Sequence, residues 1–563
     1  MRGWLALLLI APLLSGCLSF LDDEEPAPRI GPAGDVDDPA DVSIDGVAVH
    51  NHLSDGGGQD RITSFDGTQL PYVIYEPLAA TALPDGTQPT FPVVVFVHGF
   101  GLSKEMWLCP PMGDPAQPAL PDEPCPYTNL LRHFAENGII AVAYDTRGFG
   151  QATGQVTVAG EAEMKDLDTV LDFVAERFPV NGKVGVTGIS YGGGHAMNAW
   201  AFNDKVTTVA AHQGWVDLYD ALLPGNVPKV EWDLALIGEG TLASGAQMHQ
   251  MVYEWATDGI QRQNLGDIED ALDARSVGGD LGGVAKPLLV CNGLQDTLFH
   301  QTQDVLDAAT GFTRTIVYQG GHGELDPECW DKTLDWFLYF LRGVDTGVDA
   351  WPALQTVDAN GGPAISFDDP PVTRAATYYL REPQLTTYAP TNTTITVQQR
   401  VINNPLQEPS VVYDQTSLAN QAIPYSMRND PTAVFFEGAP VDETQVLLGA
   451  PRLDLHVTPT FNDTAFQVAV QLISVDDEDN SRILSRGAYA HVPGVTEPLD
   501  DTVTVDLHFT KADLQPGTRL VLKVGGNDVS WYLPFFNGND PASSNYSMQF
   551  TGQHVLTVPF FEA

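Results

Sequence analysis

Basic residues are scarce in this chain. Its 563 residues include 27 Lys and Arg against 73 Asp and Glu, a formal net charge of −46. That balance excludes electrostatic capture of nucleic acid or of an anionic membrane surface, both of which need a basic face. It suits salty or extracellular surroundings, where an acidic surface keeps a chain dispersed. Cysteine is scarce too, at 5 residues, and no spacing of Cys and His fits a metal site. No metal and no cofactor are expected. The length is too great for one core, so two or three domains are expected.

The N-terminus holds a single positive charge, Arg2, before an apolar run ending Leu13-Leu14-Ser15-Gly16-Cys17. The run has signal-peptide length and is too short to span a bilayer and stay there. Leu14-Ser15-Gly16-Cys17 resembles a bacterial-type lipobox. That resemblance implies cleavage before Cys17, lipidation of its sulfur and anchoring outside the cytoplasmic membrane, with plain secretion as the alternative. Residues 1–17 are thus expected as a leader and 18–60, acidic and rich in Pro, Gly and Asp, as a flexible tether. Cys109 and Cys125 bracket a Pro-rich loop, and an oxidising compartment would let them pair. Cys291 and Cys329 are left as a further pair or as two separate buried thiols.

The most informative stretch is Lys183-Val184-Gly185-Val186-Thr187-Gly188-Ile189-Ser190-Tyr191-Gly192. An apolar run leads into G-x-S-x-G, and a small-residue, helix-compatible segment follows. This is the setting of a nucleophile elbow, with a serine on a strained turn between strand and helix. The N–H of Tyr191, opening the helix, is a candidate oxyanion donor. A serine nucleophile needs a base and the base needs an orienting carboxylate, in the chain order Ser, Asp, His. Pro287–Cys291 is a buried-strand pattern that runs on to Asp296. Thr315–Tyr318 is another, followed by Gly320-Gly321-His322-Gly323. Both polar residues fall just beyond strand C-termini, where an open α/β sheet places its site. Ser190, Asp296 and His322 are therefore the candidate catalytic residues. Phe91–Val97 is the most strand-like run and ends in His98-Gly99-Phe100-Gly101. The Phe100 N–H is the second candidate oxyanion donor, and His98 is expected to orient that loop or to border the pocket.

Strands and helices alternate from about residue 61 to 345, which predicts a doubly wound, mostly parallel α/β sheet. Asp66-Gly67 predicts a hairpin. Asp145 and Arg147, beyond the strand 139–144, are expected in a buried structural ion pair with Asp166. Residues 220–283 break the alternation with a helix-rich insertion, expected as a cap over the serine, and Trp215 is a candidate for the pocket wall. Residues 346–375 read as a linker. From 376 to 563, short alternating runs such as Leu453–Val457 and Arg519–Val524 predict a β-sandwich or jelly roll, with no nucleophile constellation of its own.

His98-Gly99-Phe100-Gly101, Tyr144-Asp145-Thr146-Arg147-Gly148, Gly188-Ile189-Ser190-Tyr191-Gly192-Gly193, Gly293-Leu294-Gln295-Asp296 and Gly320-Gly321-His322 occur in that order. Together they resemble the X-Pro dipeptidyl-peptidase and cocaine-esterase (CocE/NonD) hydrolase family. Leu448–Val457, Leu484–Gly487 and Pro516-Gly517 resemble that family's C-terminal domain. The resemblance implies an α/β-hydrolase domain with a helical cap, a galactose-binding-like jelly roll, and acyl-serine chemistry at Ser190, Asp296 and His322. Where well-known members carry a tyrosine side chain at the oxyanion position this chain has Phe100, so a backbone donor is expected. No acidic pair for a substrate's free N-terminus is evident in the sequence.

The expected protein is thus an exported serine hydrolase acting on a peptide or small acyl substrate, in the first place as an X-Pro dipeptidyl-peptidase-like enzyme. A carboxylesterase is the alternative within that chemistry. The alternative of another class is a non-catalytic surface protein whose jelly roll binds carbohydrate. No nucleic-acid partner is expected, and membrane contact only through Cys17.

Overall fold

The computed structural model describes residues 44–51, 60–79, 89–108, 129–324, 326–390, 392–399, 422–428, 430, 432–526, 528 and 546–562. In chain order the first domain comprises β1 (Ile44–His50), β2 (Arg61–Thr63), β3 (Gln69–Ala79), β4 (Phe91–Val97), α1 (Leu130–Glu136), β5 (Ile140–Tyr144), α2 (Glu161–Arg177), β6 (Val180–Ile189), α3 (Tyr191–Phe202) and β7 (Thr208–His212). An insertion follows with α4 (Leu218–Leu222), α5 (Val230–Gly238), α6 (Gln250–Gln261) and α7 (Leu265–Asp273). The chain then returns through β8 (Leu288–Gly293), α8 (Thr302–Ala308), β9 (Thr313–Tyr318), α9 (Pro327–Phe337), β10 (Leu354–Thr356) and β11 (Ile365–Phe367).

The order across the sheet is β1-β3-β5-β4-β6-β7-β8-β9-β10-β11, with β2 paired to β3. Pairing is parallel from β5 through β10 and antiparallel at both margins. All seven residues of β4 are buried, as expected of a strand covered on both faces. Alternate residues feed two cores. Val93, Val95 and Val97 join Val170 and Val174 of α2 on one face, and Val94 and Phe96 join Phe134 and Phe337 on the other. Burying each such side chain contributes about 1.5–3 kcal/mol. The predicted hairpin forms, with Ile62 opposite Leu70.

The expected ion pair is present. Arg147 donates through Nε and Nη2 to Asp166, 2.7 Å each, and through Nη1 to Asp66 at 3.0 Å. Asp145 takes a different partner: its carboxylate accepts from the Lys104 N–H at 2.9 Å and pairs with Lys104 Nζ at 3.1 Å.

Two boundaries need correction. Residues 44–50, placed within a flexible tether, form β1, which pairs with β3 because Val47 and Val49 gain an apolar neighbourhood there. The stretch 346–375, expected as a linker, holds β10 and β11. β10 lies parallel to β9, and Leu354 is fully buried against Val317, Phe367, Leu448 and Phe509. Cys17, Cys109 and Cys125 lie outside the described residues. Cys291 and Cys329 are buried free thiols.

The C-terminal domain is β-rich and almost wholly antiparallel. The runs read as strands from alternation are strands, among them Arg452–His456, Phe466–Val475, Arg519–Gly525 and Val555–Phe561. Leu453, Leu455, Leu522, Val524, Leu556 and Val558 point into one core. The domain abuts the insertion, where Val227 packs on Ala469, Ala488 and Ala490, and the loop after β8, where the His300 ring stacks on His508.

Candidate active site

The strand β6 is buried over its last five residues and delivers Ser190 to the head of α3. Ser190 has φ +57° and ψ −117°, a conformation an L-residue adopts at a cost of about 1–3 kcal/mol. Glycine is needed on both sides. A Cβ on Gly192 would collide with the Val97 carbonyl, and one on Gly188 with Val97 and the Gly192 backbone. These two glycines let the end of β4 and the His98–Gly101 loop close on the serine. Tyr191 is the first residue of α3, so its N–H precedes the helix's own hydrogen bonds.

The three candidate catalytic residues meet. Ser190 Oγ lies 2.8 Å from His322 Nε2, and His322 Nδ1 lies 2.9 Å from Asp296 Oδ2. The carboxylate fixes the tautomer: Nδ1 carries the proton it donates to Asp296, leaving Nε2 to accept from the serine hydroxyl. Asp296 is itself held, because Oδ1 accepts from the N–H groups of Leu298 and Phe299, 2.8 Å each. His322 has one face edge-on to Phe299 and another to Trp232 of α5, with ring centroids 5.1 and 5.2 Å away. The Trp232 indole N–H donates to Thr297 Oγ1 at 2.9 Å, which moors the cap helix beside the acid.

Ser190 lines an apolar pocket. Its walls come from Phe100, Tyr191 and Trp215 of the sheet domain and from Leu223, Ile237 and Trp255 of the insertion. The insertion thus covers the serine as expected, and Trp215 lines the pocket. His98 does not. It is fully buried beneath the loop, where Nδ1 lies 2.8 Å from the Gly99 carbonyl and Nε2 accepts from the Thr146 N–H at 3.2 Å. That is the loop-orienting role, and burial pushes the imidazole's affinity for a proton down.

One charged side chain lines this apolar cavity, Asp233 of α5. Burial pushes its carboxyl up to about 8, against the pull of Lys229 one turn earlier. Lys229 is itself pushed down to about 7 by burial, with Asp220, Asp296 and Asp233 opposing. Its Nζ donates to the Leu298 carbonyl at 3.0 Å. The sequence reading does not single out Asp233, although acids inside the otherwise apolar run Val230–Gly238, Glu231 and Asp233, are a signal to be found. Among the described residues no cluster of His, Cys, Asp and Glu has the geometry of a metal site.

A family model for the X-Pro dipeptidyl-peptidase (S15 family) matches residues 66–324, and a model for the X-Pro dipeptidyl-peptidase C-terminal non-catalytic domain matches 346–558. A CocE/NonD family hydrolase from Staphylococcus aureus is similar in structure with a TM-score of 0.63 at 14% identity, covering 92% of this chain and 97% of that one. An aminopeptidase from a marine sediment Thaumarchaeota archaeon gives 0.65 at 13%, covering 96% and 99%. An α-amino acid ester hydrolase gives 0.61 at 14%, also covering 96% and 99%. At these identities the likeness is one of fold. An uncharacterized 31.7 kDa Escherichia coli protein from the traX-finO intergenic region is 25% identical over 142 residues. That match takes in 25% of this chain and 43% of the relative, so the chain spans less than half of its length.

Proposed function

The chain belongs to the X-Pro dipeptidyl-peptidase family of serine hydrolases, and from that premise we propose that it is an exported peptidase releasing a short amino-acyl unit through an acyl-serine intermediate. His322 takes the Ser190 proton as the hydroxyl attacks the scissile carbonyl. The Tyr191 and Phe100 N–H groups receive the oxyanion. The imidazolium, held by Asp296, passes its proton to the leaving amine. Water, deprotonated by the same nitrogen, then attacks the acyl-serine and frees the acid.

The observation that carries the substrate assignment is Asp233, a carboxylate set alone in the apolar wall of the cavity that Ser190 opens into. An apolar acyl side chain fits those walls, and a free α-ammonium entering beside Asp233 would draw its raised carboxyl into the ionised form and pair with it. No acidic pair is evident in the sequence, and one acid on the cap, Asp233, takes that place. A carboxylesterase with an uncharged acyl group is the second assignment, favoured by the predominance of apolar lining.

The test compares Ala-Pro-p-nitroanilide, its N-acetyl derivative and p-nitrophenyl acetate on the purified protein. A peptidase that reads the amine cleaves the first and loses at least about tenfold in kcat/KM on the second, one hydrogen-bonded charge being worth about 1.5–3 kcal/mol. Equal rates on the first two, or cleavage of the ester alone, would replace it with the carboxylesterase. No turnover at all, with saturable glycan binding, would favour the carbohydrate-binding protein.

Export and anchoring rest on Met1–Cys17, beyond the described residues, and among those described no helix is long and apolar enough to cross a membrane. Incorporation of labelled fatty acid that disappears in Cys17→Ser is the expected outcome, and incorporation that persists would refute lipidation at that residue.

A further inference from the structure

We propose that Gln213 is the positioning residue of the catalytic base, clamping the backbone on both sides of His322. The proposal rests on the assignment of His322 as base.

The loop that carries His322 is Gly320-Gly321-His322-Gly323, with Gly323 at φ +86°. Glycines bend at little cost, so such a loop does not fix its histidine through backbone preference. Its position must come from what grips it. Gln213 Nε2 donates to the Gly321 carbonyl at 2.7 Å, and Gln213 Oε1 accepts from the Gly323 N–H at 2.7 Å. One amide thus holds the carbonyl before the base and the N–H after it. The donor and acceptor demands also fix the orientation of the amide, since the reverse placement would oppose two acceptors and two donors.

Gln213 is fully buried and sits at φ +47°, in the left-handed region that non-glycine residues enter rarely. Its own N–H donates to the Cys291 carbonyl at 2.8 Å, on the strand β8 that leads to Asp296. The carbonyl of the preceding residue, His212, accepts the Ser190 N–H at 2.9 Å. Gly214, next in the chain, packs so closely on the Gly193 backbone that neither position admits a Cβ. The corner at 212–214 therefore touches the nucleophile's turn, the acid's strand and the base's loop. A glutamine at its centre sets the distance between them, and a displacement of about 1 Å at the reacting groups is enough to cost about 10²-fold in rate.

The experiment uses the full chain with Gln213→Met, which keeps length and loses both hydrogen bonds. It also uses Gln213→Glu, which keeps the acceptor for Gly323 and turns a second acceptor on the Gly321 carbonyl. Hydrolysis of p-nitrophenyl acetate and Ala-Pro-p-nitroanilide is read as kcat and KM, beside thermal unfolding and the downfield proton resonance of His322 Nδ1–H. We expect kcat to fall about 10²-fold in Gln213→Met and at least about tenfold in Gln213→Glu. KM should stay within about threefold, and the resonance should broaden or vanish. A folded variant with unchanged kcat and an unchanged resonance overturns the clamp, as does a loss confined to KM. If Gln213→Met fails to fold, Gln213→Glu decides by the same criteria. His322→Ala separates the two levels. Inactive His322→Ala beside fully active Gln213 variants removes the clamp alone, whereas active His322→Ala removes the assignment of the base and the clamp with it.

Discussion

Replacing Asp233 with Asn should stabilise the protein and damage its use of amino-acyl substrates at the same time. The wild-type carboxyl is pushed from an ordinary 3.8 to about 8, chiefly by burial. A raised carboxyl is stable in the fold only while protonated. Below about pH 4 folded and unfolded chains both hold the proton, and no penalty exists. As pH rises above 4 the unfolded chain ionises and the folded one does not, so stability falls, and the loss levels off above about pH 8. Four pH units at 1.36 kcal/mol each set a ceiling of about 5–6 kcal/mol. Asp233 is partly open to the cavity, and water there reduces the figure to about 2–3 kcal/mol. Asn keeps the shape and never ionises. The assay is urea unfolding of both proteins at pH 4.5 and pH 8. The variant should gain little at pH 4.5 and about 2–3 kcal/mol at pH 8. Its kcat/KM on Ala-Pro-p-nitroanilide should fall at least about tenfold while p-nitrophenyl acetate is cleaved as before. A variant with no pH-dependent gain, or one that handles both substrates as wild type does, would refute the reasoning.

Other outcomes follow from the same geometry. Asp296→Asn keeps the hydrogen-bonding shape but favours the wrong imidazole tautomer, so kcat should drop about 10⁴-fold with little change in KM. Arg147→Met strips the partner from Asp166, a buried carboxylate that also accepts from the Ser64 hydroxyl, and should cost about 3–5 kcal/mol in denaturant unfolding. Gly192→Ala forces a Cβ into the Val97 carbonyl and should abolish serine reactivity even in protein that still folds, as read by active-site titration.

The framework of the fold was legible because its strands are covered on both faces. Runs such as Phe91–Val97 read as continuous apolar segments, and the glycines around Ser190 mark a turn that tolerates no side chain. The triad was legible from chain order and from the position of Asp296 and His322 just past strand ends. What the sequence could not show depends on contacts between distant segments. β1 and β10 are short and look like linker until a sheet edge accepts them. Gln213 is an ordinary polar residue after a strand, and only its two partners 108 and 110 positions away make it a clamp. Asp233 carried a signal, an acid inside an apolar helix, but its meaning required the cavity that α5 closes. His98 could equally have bordered the pocket, and the tight seat of Phe149 against it, with ring centroids 5.5 Å apart, helps to keep it below the loop.

The most direct test of the central claim is labelling of the purified protein with a fluorophosphonate probe, with the modified residue located by mass spectrometry. The predicted result is a single adduct on Ser190, absent from Ser190→Ala, with hydrolysis in that variant reduced about 10⁴-fold or more. An adduct on another serine, or hydrolysis that survives in Ser190→Ala, would contradict it.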